Sequence, residues 1–479
     1  MDRGHGVPGS VTLTIVQGQE VGRQFVFEDR TTCIIGRDVD CQPRIPNDDH
    51  HRKVSRTHCL LDINPPDVRV RDFGSRNGTY VNGMKIGQRE RYESREQGAQ
   101  STFPEHDLED GDEIRLGQTV LRVTIHAENE SNQPHSCVRC GKDVTVESVG
   151  RPGDYVCKAC RARPTLLAET LLGIAVDAGG SPGRWKPTEA EVIEGYNILH
   201  RLGEGGMGAV YLARHRQSGE LVAVKLMLPE VAVEETAKQM FLREVENTRS
   251  LRHPNIVKLG EGGCIKGVFY FTMEYCDGGS VERLLQANGK LAVDVAVPII
   301  SHVLEGLEYA HAAEIPNVRL ANGTIGAGRG LIHRDLKPAN LFLSESERLT
   351  KIGDFGLAKA FDLAGLSGQT CTGSSMGTLA YMPRLQVFNF KYARPDVDVW
   401  AAAATLYHML TGVVPRDFPK GKDPFRIVLD EDAVPIRKRG VSLPAKLAEV
   451  IDLALREEAG KPLYFQSAGE FRKSLLAAV

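Results

Sequence analysis

Alternating apolar and polar residues dominate the first part of the chain. The alternation starts at residues 11–16, and short apolar-rich runs recur at 24–27, 33–35, 58–61, 68–71 and 120–125. Turn residues such as Asn82-Gly83 separate these runs, and no helical period intervenes. Many short strands with this spacing are typical of an all-β sandwich.

The C-terminal part of the chain mixes strand and helix periods. Residues 222–225 and 268–276 are strand-like, whereas apolar residues recur at three- and four-residue steps along 300–307. That period predicts an amphipathic helix with an ordinary core stripe. Residues 396–410 are apolar nearly all round, which predicts a helix buried at the centre of a lobe.

Composition narrows the class of protein. The chain has 479 residues, enough for about three domains, and its formal net charge of −3 gives no case for nucleic acid as the main partner. No apolar run is long enough to cross a membrane, and the amino terminus lacks the apolar core of a secretory signal. The ten cysteines suit a reducing cytosol better than a disulfide framework. These features predict a soluble cytoplasmic protein.

Two neighbouring segments, 331–340 and 351–356, carry the chemistry of phosphoryl transfer. They contain Asp335, Lys337 and Asn340, followed by Asp354. A carboxylate must orient the attacking hydroxyl, a cation must offset charge, and an amide and a second carboxylate must hold divalent metal on a triphosphate.

These segments resemble the catalytic loop and the metal-binding loop of protein kinases. The resemblance covers residues 194–479 and implies a two-lobed α+β fold that uses ATP and Mg²⁺ or Mn²⁺. It implies that Asp335 is the general base, that Lys337 contacts the γ-phosphate and that Asn340 and Asp354 bind the metal. The Lys337 position points to a bacterial-type kinase of serine and threonine.

The nucleotide pocket is predicted from upstream motifs. The glycine pattern of 203–208 alone would serve a dinucleotide site or a hairpin equally well, but Val222-Ala-Val-Lys225 follows it and favours a flap over ATP phosphates. Glu244 is the expected partner of Lys225, with Glu246 as the fallback, although a single Glu here could equally lie on a solvated helix face. The resemblance assigns ATP binding to Leu202, Gly203, Gly205, Gly208, Val210, Lys225, Met273, Glu274 and Cys276.

Control by phosphorylation is suggested by Arg334, because an arginine beside the catalytic aspartate can pair with a phosphate. Candidate phosphosites in the activation loop are Thr370 and Thr372, with Ser374 and Ser375 beside them. Thr378 is expected to brace Asp335 and Lys337 instead. We also expect Asp398 to bond the backbone of the catalytic loop.

The kinase pattern breaks after Tyr381. Leu385 stands where kinases usually have a glutamate, and Lys461 stands where its arginine partner would be. Losing one partner of a buried pair is costly, but a flexible lysine can reach water. A somewhat softer substrate platform is therefore expected.

The first domain, 11–127, resembles a forkhead-associated (FHA) domain. Its motifs are Gly36-Arg37, Ser55-Arg56-Thr57-His58 and the stretch 72–83. The resemblance implies phosphothreonine binding by Arg37, Ser55 and Arg56, a peptide-backbone contact from Asn77, and a bracing role for His58. Alternatively, Arg37 and Ser55 are plain surface residues, and Gly78 and Gly83 are simply good hairpin residues.

Two insertions depart from these families. Residues 87–106 are charged and lack an apolar period, so we interpret them as a mobile loop. Residues 315–329 add a glycine-rich segment just before the catalytic loop, close enough to gate the active site or merely to decorate it.

A small zinc module is predicted at 134–163. Two Cys-x-x-Cys pairs separated by sixteen residues match a closed tetrahedral Zn²⁺ site, formed by Cys137, Cys140, Cys157 and Cys160. Redox-active pairs or unmetallated thiols are the alternatives. Residues 164–193 are interpreted as a linker.

The leading hypothesis is an ATP-dependent serine/threonine kinase that recruits phosphoproteins, or another copy of itself, through its FHA domain. The alternative is a phosphothreonine-binding scaffold with an impaired kinase fold, suggested by Leu385 and the insertions. A nucleic-acid binder is disfavoured because no basic, aromatic-rich face accompanies the cysteines.

Overall fold

The structure is a computed structural model of the whole chain. It describes residues 10–28, 31–65, 67–90, 103–126, 136, 142–144, 193, 195–205, 208–227, 235–265, 268–319, 325–355, 376–388 and 393–479. No helix in these ranges is both long and apolar enough to cross a membrane.

The N-terminal region is a sandwich of two antiparallel sheets, as its alternating pattern predicted. One sheet has the order β2-β1-β10-β9-β6-β7 and the other β3-β4-β5-β8. The strands are β1 (Ser10–Gln17), β2 (Gln24–Phe27), β3 (Thr31–Ile35), β4 (Cys59–Asn64), β5 (Asp67–Asp72), β6 (Thr79–Val81), β7 (Met84–Gly87), β8 (His106–Leu108), β9 (Glu113–Leu116) and β10 (Thr119–His126).

Alternate side chains of these strands fill the core between the sheets. Leu13 and Val123 approach from one sheet and Leu61 and Val70 from the other, all fully buried. The charged insertion is only partly described: β7 ends at its first residue, β8 begins at its last, and 91–102 lie outside the described residues.

A five-stranded antiparallel sheet forms the smaller lobe of the second region. Its order is β11-β12-β13-β15-β14, from β11 (Tyr196–Gly205), β12 (Gly208–His215), β13 (Leu221–Met227), β14 (Leu259–Ile265) and β15 (Val268–Glu274). Helix α1 (Glu235–Arg249) packs on it through Phe241, whose ring lies 4.5 Å from that of Phe269.

The larger lobe is helical. It contains α2 (Val281–Asn288), α3 (Val293–Ala312), α4 (Met376–Leu379), α5 (Arg384–Phe388), α6 (Pro395–Thr411), α7 (Pro424–Asp430), α8 (Ala445–Ala454) and α9 (Ala468–Leu476). Helix α6 is buried nearly all round, which confirms the prediction from its apolar sequence. A ribbon of β18 (Leu341–Ser344) and β19 (Leu349–Ile352) flanks the catalytic loop.

The glycine-rich insertion before that loop is an ordered hairpin at its base. Strands β16 (Glu314–Arg319) and β17 (Ile325–Arg329) pair antiparallel, and β16 lies against helix α1. Ile315 is buried in the core of the larger lobe, so the hairpin is anchored there.

The zinc module lies almost entirely outside the described residues. Only Ser136 and 142–144 are described within 134–163, and all four cysteines lie outside. Within the described ranges, no three His, Cys, Asp or Glu side chains converge as a metal site would require. The linker 164–193 is described only at Ile193.

Candidate active site

The catalytic loop gathers three predicted side chains around one carboxylate. Oδ2 of Asp335 lies 3.0 Å from Nζ of Lys337 and accepts a hydrogen bond of 3.2 Å from Nδ2 of Asn340. Its other oxygen, Oδ1, is buried without a hydrogen-bond partner among the described residues. The Asp335 side chain as a whole is 30% exposed, so a substrate hydroxyl can approach its carboxylate and donate a hydrogen bond to it.

Asp398 holds the backbone of this loop, as predicted. Its carboxylate accepts hydrogen bonds of 2.8 Å from the N–H groups of His333 and Arg334 and from Nε2 of His311. Burial alone would raise the pKa of Asp398, but the hydrogen bond and the charge of His311, together with His333, outweigh it and hold the pKa below its usual value. Arg334 has a positive φ of 66°, so this anchoring maintains a backbone conformation that arginine rarely adopts.

His333 connects the catalytic loop to the predicted metal-binding loop. Its Nδ1 accepts from the N–H of Asp335 at 3.2 Å, so Nε2 carries the proton that it donates to the carbonyl of Gly353 at 2.9 Å. The N–H of Gly353 in turn donates to the carbonyl of Asn340 at 2.8 Å. Asp354 follows with a φ of 53°. These bonds fix the two loops relative to each other.

Asp354 and Asn340 are suited to a hard divalent cation. Nζ of Lys225 donates to the Asp354 carboxylate at 2.5 Å. The carboxylate therefore already has a positive charge as its neighbour. Asn340 uses its amide nitrogen toward Asp335, which leaves the amide oxygen to coordinate a metal. Carboxylate and amide oxygens are ligands that Mg²⁺ accepts. The residues fit the predicted metal.

The glycine motif lies at the paired ends of two adjacent strands, and residues 206 and 207 between them lie outside the described residues. Gly205 pairs with Gly208 at its end, and Gly203 pairs with Val210 along β11 and β12. An added Cβ on Gly203 would meet nothing within 4 Å, so space for a ligand lies beside it. Leu202 and Val210 pack against the core of the smaller lobe, and Lys225 extends from β13 toward Asp354.

The segment after β15 is where the sequence predicts the hinge to the adenine. Met273 is buried there, and the N–H of Glu274 donates to the carbonyl of Lys258 at 2.9 Å. The Glu274 side chain pairs with Lys351. Burial raises the pKa of the Cys276 thiol to about 12, so Cys276 contributes packing and backbone atoms, not a thiolate.

Several predicted residues cannot be placed. The backbone of Glu244 lies in α1, but its side chain is outside the described part, so its pairing with Lys225 stays a prediction. Thr370 and Thr372 lie outside the described residues, as do Ser374 and Ser375. Thr378 is described, and its hydroxyl accepts from Nζ of Lys337 at 2.8 Å.

The substrate side of the loop is held by an ion pair that the sequence analysis missed. Arg416, fully buried, pairs with Glu457 and donates to the carbonyl of Met382 at 3.1 Å. Glu457 also accepts from the N–H of Arg384 at 2.6 Å. Burial raises the pKa of Glu457, an effect that Arg416 opposes but does not cancel. Among the described residues, Lys461, which the kinase pattern singled out, pairs with Glu458 at the surface.

The FHA loops bring together Arg37, Ser55 and Asn77 at one end of the sandwich. Arg37 Nε donates to the carbonyl of Val54 at 2.6 Å, Ser55 Oγ accepts from the N–H of Arg76 at 3.0 Å, and Asn77 Nδ2 donates to the carbonyl of Lys53 at 2.7 Å. Arg56 is exposed beside them. These residues form a cationic, donor-rich surface that could hold a phosphate.

His58 joins the two loops of this surface. It is fully buried, its Nδ1 accepts from the N–H of Ser55 at 2.9 Å, and its Nε2 donates to the carbonyl of Gly78 at 3.1 Å. Burial lowers the pKa of His58, which keeps the imidazole neutral as these bonds require. Gly78 has a φ of 85°, so only glycine fits that turn without strain.

Comparison with known proteins agrees with this geometry. Residues 196–453 match the family model "protein kinase domain" and residues 33–117 match that of the FHA domain. Serine/threonine-protein kinase PknJ of Mycobacterium tuberculosis is 32% identical over 293 residues, 60% of this chain and 46% of that protein. PknF of the same species is 34% identical over 233 residues, 47% of this chain and 45% of that protein.

A probable serine/threonine-protein kinase of Clostridium perfringens, CPE1738, is 31% identical over 266 residues, 55% of this chain and 35% of that protein. The chain thus spans less than half the length of these curated relatives. Among solved structures, Rad53 1-466 in complex with AMP-PNP aligns over 97% of this chain and 100% of that one, with a TM-score of 0.45 and 20% identity.

Proposed function

This chain belongs to the protein kinase family, and we propose that it transfers the γ-phosphate of ATP to serine and threonine side chains of proteins. The observation that carries the proposal is the catalytic loop. Lys337 and Asn340 contact one oxygen of Asp335, and the other oxygen is buried without a partner among the described residues.

In the proposed reaction a substrate hydroxyl donates to the carboxylate of Asp335, whose side chain is 30% exposed. The oxygen of the substrate hydroxyl attacks the γ-phosphorus, and the bond between that phosphorus and the β–γ bridging oxygen breaks. ADP leaves, and the proton of the hydroxyl passes to Asp335. Lys337, beside the same carboxylate, offsets charge on the transferred group. Mg²⁺ held by Asn340 and Asp354 would neutralise the triphosphate.

Regulation by the chain's own phosphate is part of the proposal. Arg334 would pair with a phosphorylated Thr370 or Thr372, because a guanidinium binds phosphate in a bidentate manner. The anchored, positive-φ backbone of Arg334 supports a fixed role for this residue next to Asp335.

The FHA domain would recruit proteins that carry phosphothreonine, or a phosphorylated second copy of this chain. Arg37, Ser55 and Arg56 would bind the phosphate and Asn77 the peptide backbone. Their position on loops at one end of a rigid sandwich supports this assignment.

A structural Zn²⁺ would be bound by Cys137, Cys140, Cys157 and Cys160. Ser136 and Asp143, which flank the first pair in the sequence, form an antiparallel bridge, and this pairing supports a zinc knuckle. Metal analysis of the purified chain tests it: one zinc per chain is expected, and none after Cys137→Ser with Cys157→Ser.

The proposal also assigns the protein to the cytoplasm. Cys33, Cys41, Cys59 and Cys276 are free buried thiols, which suits a reducing compartment. Localisation of a tagged chain by fractionation checks this assignment, and recovery in an extracellular fraction would contradict it.

Phosphosite mass spectrometry after incubation with Mg²⁺ and ATP tests the kinase function. The wild-type chain, made in a host that lacks such kinases, is expected to gain phosphate on Thr370 or Thr372, and Asp335→Asn is not. Asp294→Asn, an exposed aspartate at the start of α3, is the matched control and should behave as wild type. If wild-type chain and an added protein substrate both stay unmodified, the scaffold alternative replaces the kinase.

A further inference from the structure

The outer face of the FHA sheet β3-β4-β5 is buried against the larger kinase lobe. Side chains on the inner face of these strands fill the sandwich core, whereas a second apolar cluster lies outside it and joins the two regions. The FHA members of this cluster are Ile34, Cys41, Leu60 and Phe73, and the kinase members are Leu379, Val387, Phe388, Phe425, Val428 and Leu429. We call this contact the FHA–α5/α7 interface.

A row of side chains crosses the sheet toward this interface. Ile34 of β3 pairs with Leu60 of β4, which pairs with Arg71 of β5. All three are at most 2% exposed. The outer face of an antiparallel sheet normally carries polar, solvated side chains. The burial of Ile34, Leu60 and Arg71 therefore shows that this outer face packs against another part of the chain.

Two arginines cross the interface in opposite directions. Arg71 of the FHA domain pairs with Asp423 of the kinase lobe at 2.8 Å, and both are almost fully buried. Arg426 of the kinase lobe donates to the hydroxyl of Thr57 in the FHA domain at 2.9 Å. Both guanidinium groups lie over the ring of Phe73, at 5.7 and 4.7 Å. Buried charges with complementary partners specify one docking arrangement.

The covered segment of the kinase lobe is the one that supports the catalytic loop. Leu379 is buried in the interface, and its neighbour Thr378 accepts a hydrogen bond from the catalytic-loop residue Lys337. Gln386 of α5 donates to the carbonyl of Arg334 at 2.6 Å. The FHA domain therefore packs on the outside of a segment whose inside contacts the catalytic loop.

The interface also reaches the phosphate-binding loop. Thr57, which accepts from Arg426, lies two residues after Ser55, and the carbonyl of the intervening Arg56 accepts from the N–H of Asp38. A ligand on Ser55 and the kinase lobe thus contact the same short loop.

We propose that the FHA domain docks in cis on helices α5 and α7 and restrains the kinase lobe by holding, from outside, the segment that supports the catalytic loop through Thr378 and Gln386. The restraint rests on the proposed kinase function, whereas the docking does not. Release of the FHA domain raises the phosphorylation of protein substrates. The docked state is one that this chain forms with itself, not with a second copy.

Hydrogen exchange on the full chain tests the docking. Arg71→Ala leaves Asp423 buried without its cation, which shifts the docking equilibrium about 100-fold toward the undocked form. Amides of α5 and α7 should then exchange about tenfold faster or more. Arg69→Ala is the matched control: it lies on the same face of β5 but pairs with Asp107 inside the FHA domain, and it should leave α5 and α7 unchanged.

Unchanged exchange in α5 and α7 for Arg71→Ala overturns the docking. Arg426→Ala, which acts from the kinase side, provides the same test should Arg71→Ala unfold the FHA domain, as far-UV circular dichroism would reveal. If tenfold dilution of the wild-type chain lowers the protection of α5 and α7 against hydrogen exchange, docking in cis is overturned, because only a contact between copies depends on concentration.

Phosphorylation of a protein substrate tests the restraint. Arg71→Ala should be several times faster than wild type, with Arg69→Ala equal to wild type. Faster exchange in α5 and α7 without faster phosphorylation overturns the restraint and leaves the docking in place. If all three chains bind ATP but none transfers phosphate, the proposed function fails and the restraint with it, and the exchange result still decides the docking.

Discussion

Asp398 positions the catalytic loop although it does not belong to the set that faces substrate. Its carboxylate accepts three hydrogen bonds, two of them from backbone N–H groups of that loop. Because it is buried, no water can replace a lost acceptor at this position.

Asp398→Asn is expected to lower the free energy of unfolding by about 2–4 kcal/mol at pH 7, because an amide cannot accept all three bonds. The pKa of Asp398 is lowered in the folded state. Its contribution is therefore complete above the unfolded pKa of about 4 and is lost as pH falls through the folded value. Urea titrations of both chains at pH 7 and near pH 3 should show the difference shrinking in acid. A difference that stays constant or grows would contradict this assignment.

Arg37 is the residue whose loss should most weaken phosphopeptide binding. Arg37→Ala removes charge-assisted bonds to phosphate, so the Kd for a phosphothreonine peptide should rise about 10- to 100-fold. Fluorescence anisotropy with phosphorylated and unphosphorylated versions of one peptide measures it. Arg23→Ala, a surface arginine paired with Glu20, should leave the Kd unchanged. Equal binding of both peptides by the wild-type chain would refute the phosphate site.

At this scale the sequence predicted the residues of the candidate site, since Asp335, Lys337 and Asn340 lie within one short motif and Asp354 in the next, and the structure places the first three in contact. The sequence could not show that Oδ1 of Asp335 is buried and unpaired among the described residues, or that Lys225 contacts Asp354. Both depend on how loops from distant parts of the chain pack.

At the scale of elements, the pair Arg416–Glu457 fastens the segment before α5 to the rest of the lobe. Arg416 contacts the carbonyls of Met382 and Glu431, and Glu457 accepts the N–H of Arg384. The prediction of a softer platform considered only Leu385 and Lys461, which do not form this anchor.

Glu457→Gln should destabilise the kinase lobe by about 3 kcal/mol, because Arg416 would remain buried without its counter-charge. Lys461→Ala should have almost no effect, since its side chain is 67% exposed and its ion pair lies at the surface. Thermal unfolding of the three chains at pH 7 compares them. A larger loss for Lys461→Ala than for Glu457→Gln would contradict the assignment of the anchor to Arg416 and Glu457.

The elements differ in how far their sequences predicted them. The alternation of β1 and the apolar surface of α6 were sufficient to predict a sandwich strand and a central helix. The hairpin β16–β17 was not predicted, because glycine-rich sequence signals a loop and its pairing depends on Ile315 packing in the core. Leu385 drew attention because it broke a motif, whereas Arg416 lies outside any motif that the sequence offered.

At the scale of the whole molecule, the order of domains can be read from the chain, but their contact cannot. Arg71 and Asp423 are more than 350 positions apart, and no local period links them. One signal was present: residues 33–35 and 59–61 are apolar triplets where a strand with one solvated face would alternate. Ile34 and Leu60 are the middle residues of these triplets, and both lie in the FHA–α5/α7 interface.

One rate comparison tests most directly the proposed role of Asp335 in phosphate transfer. Transfer of labelled γ-phosphate from ATP to a protein substrate should proceed on serine and threonine with the wild-type chain. With Asp335→Asn it should fall about 10²- to 10⁴-fold, while ATP affinity stays the same. Equal rates for the two chains, or no transfer by a wild-type chain that binds ATP and Mg²⁺, would contradict the account.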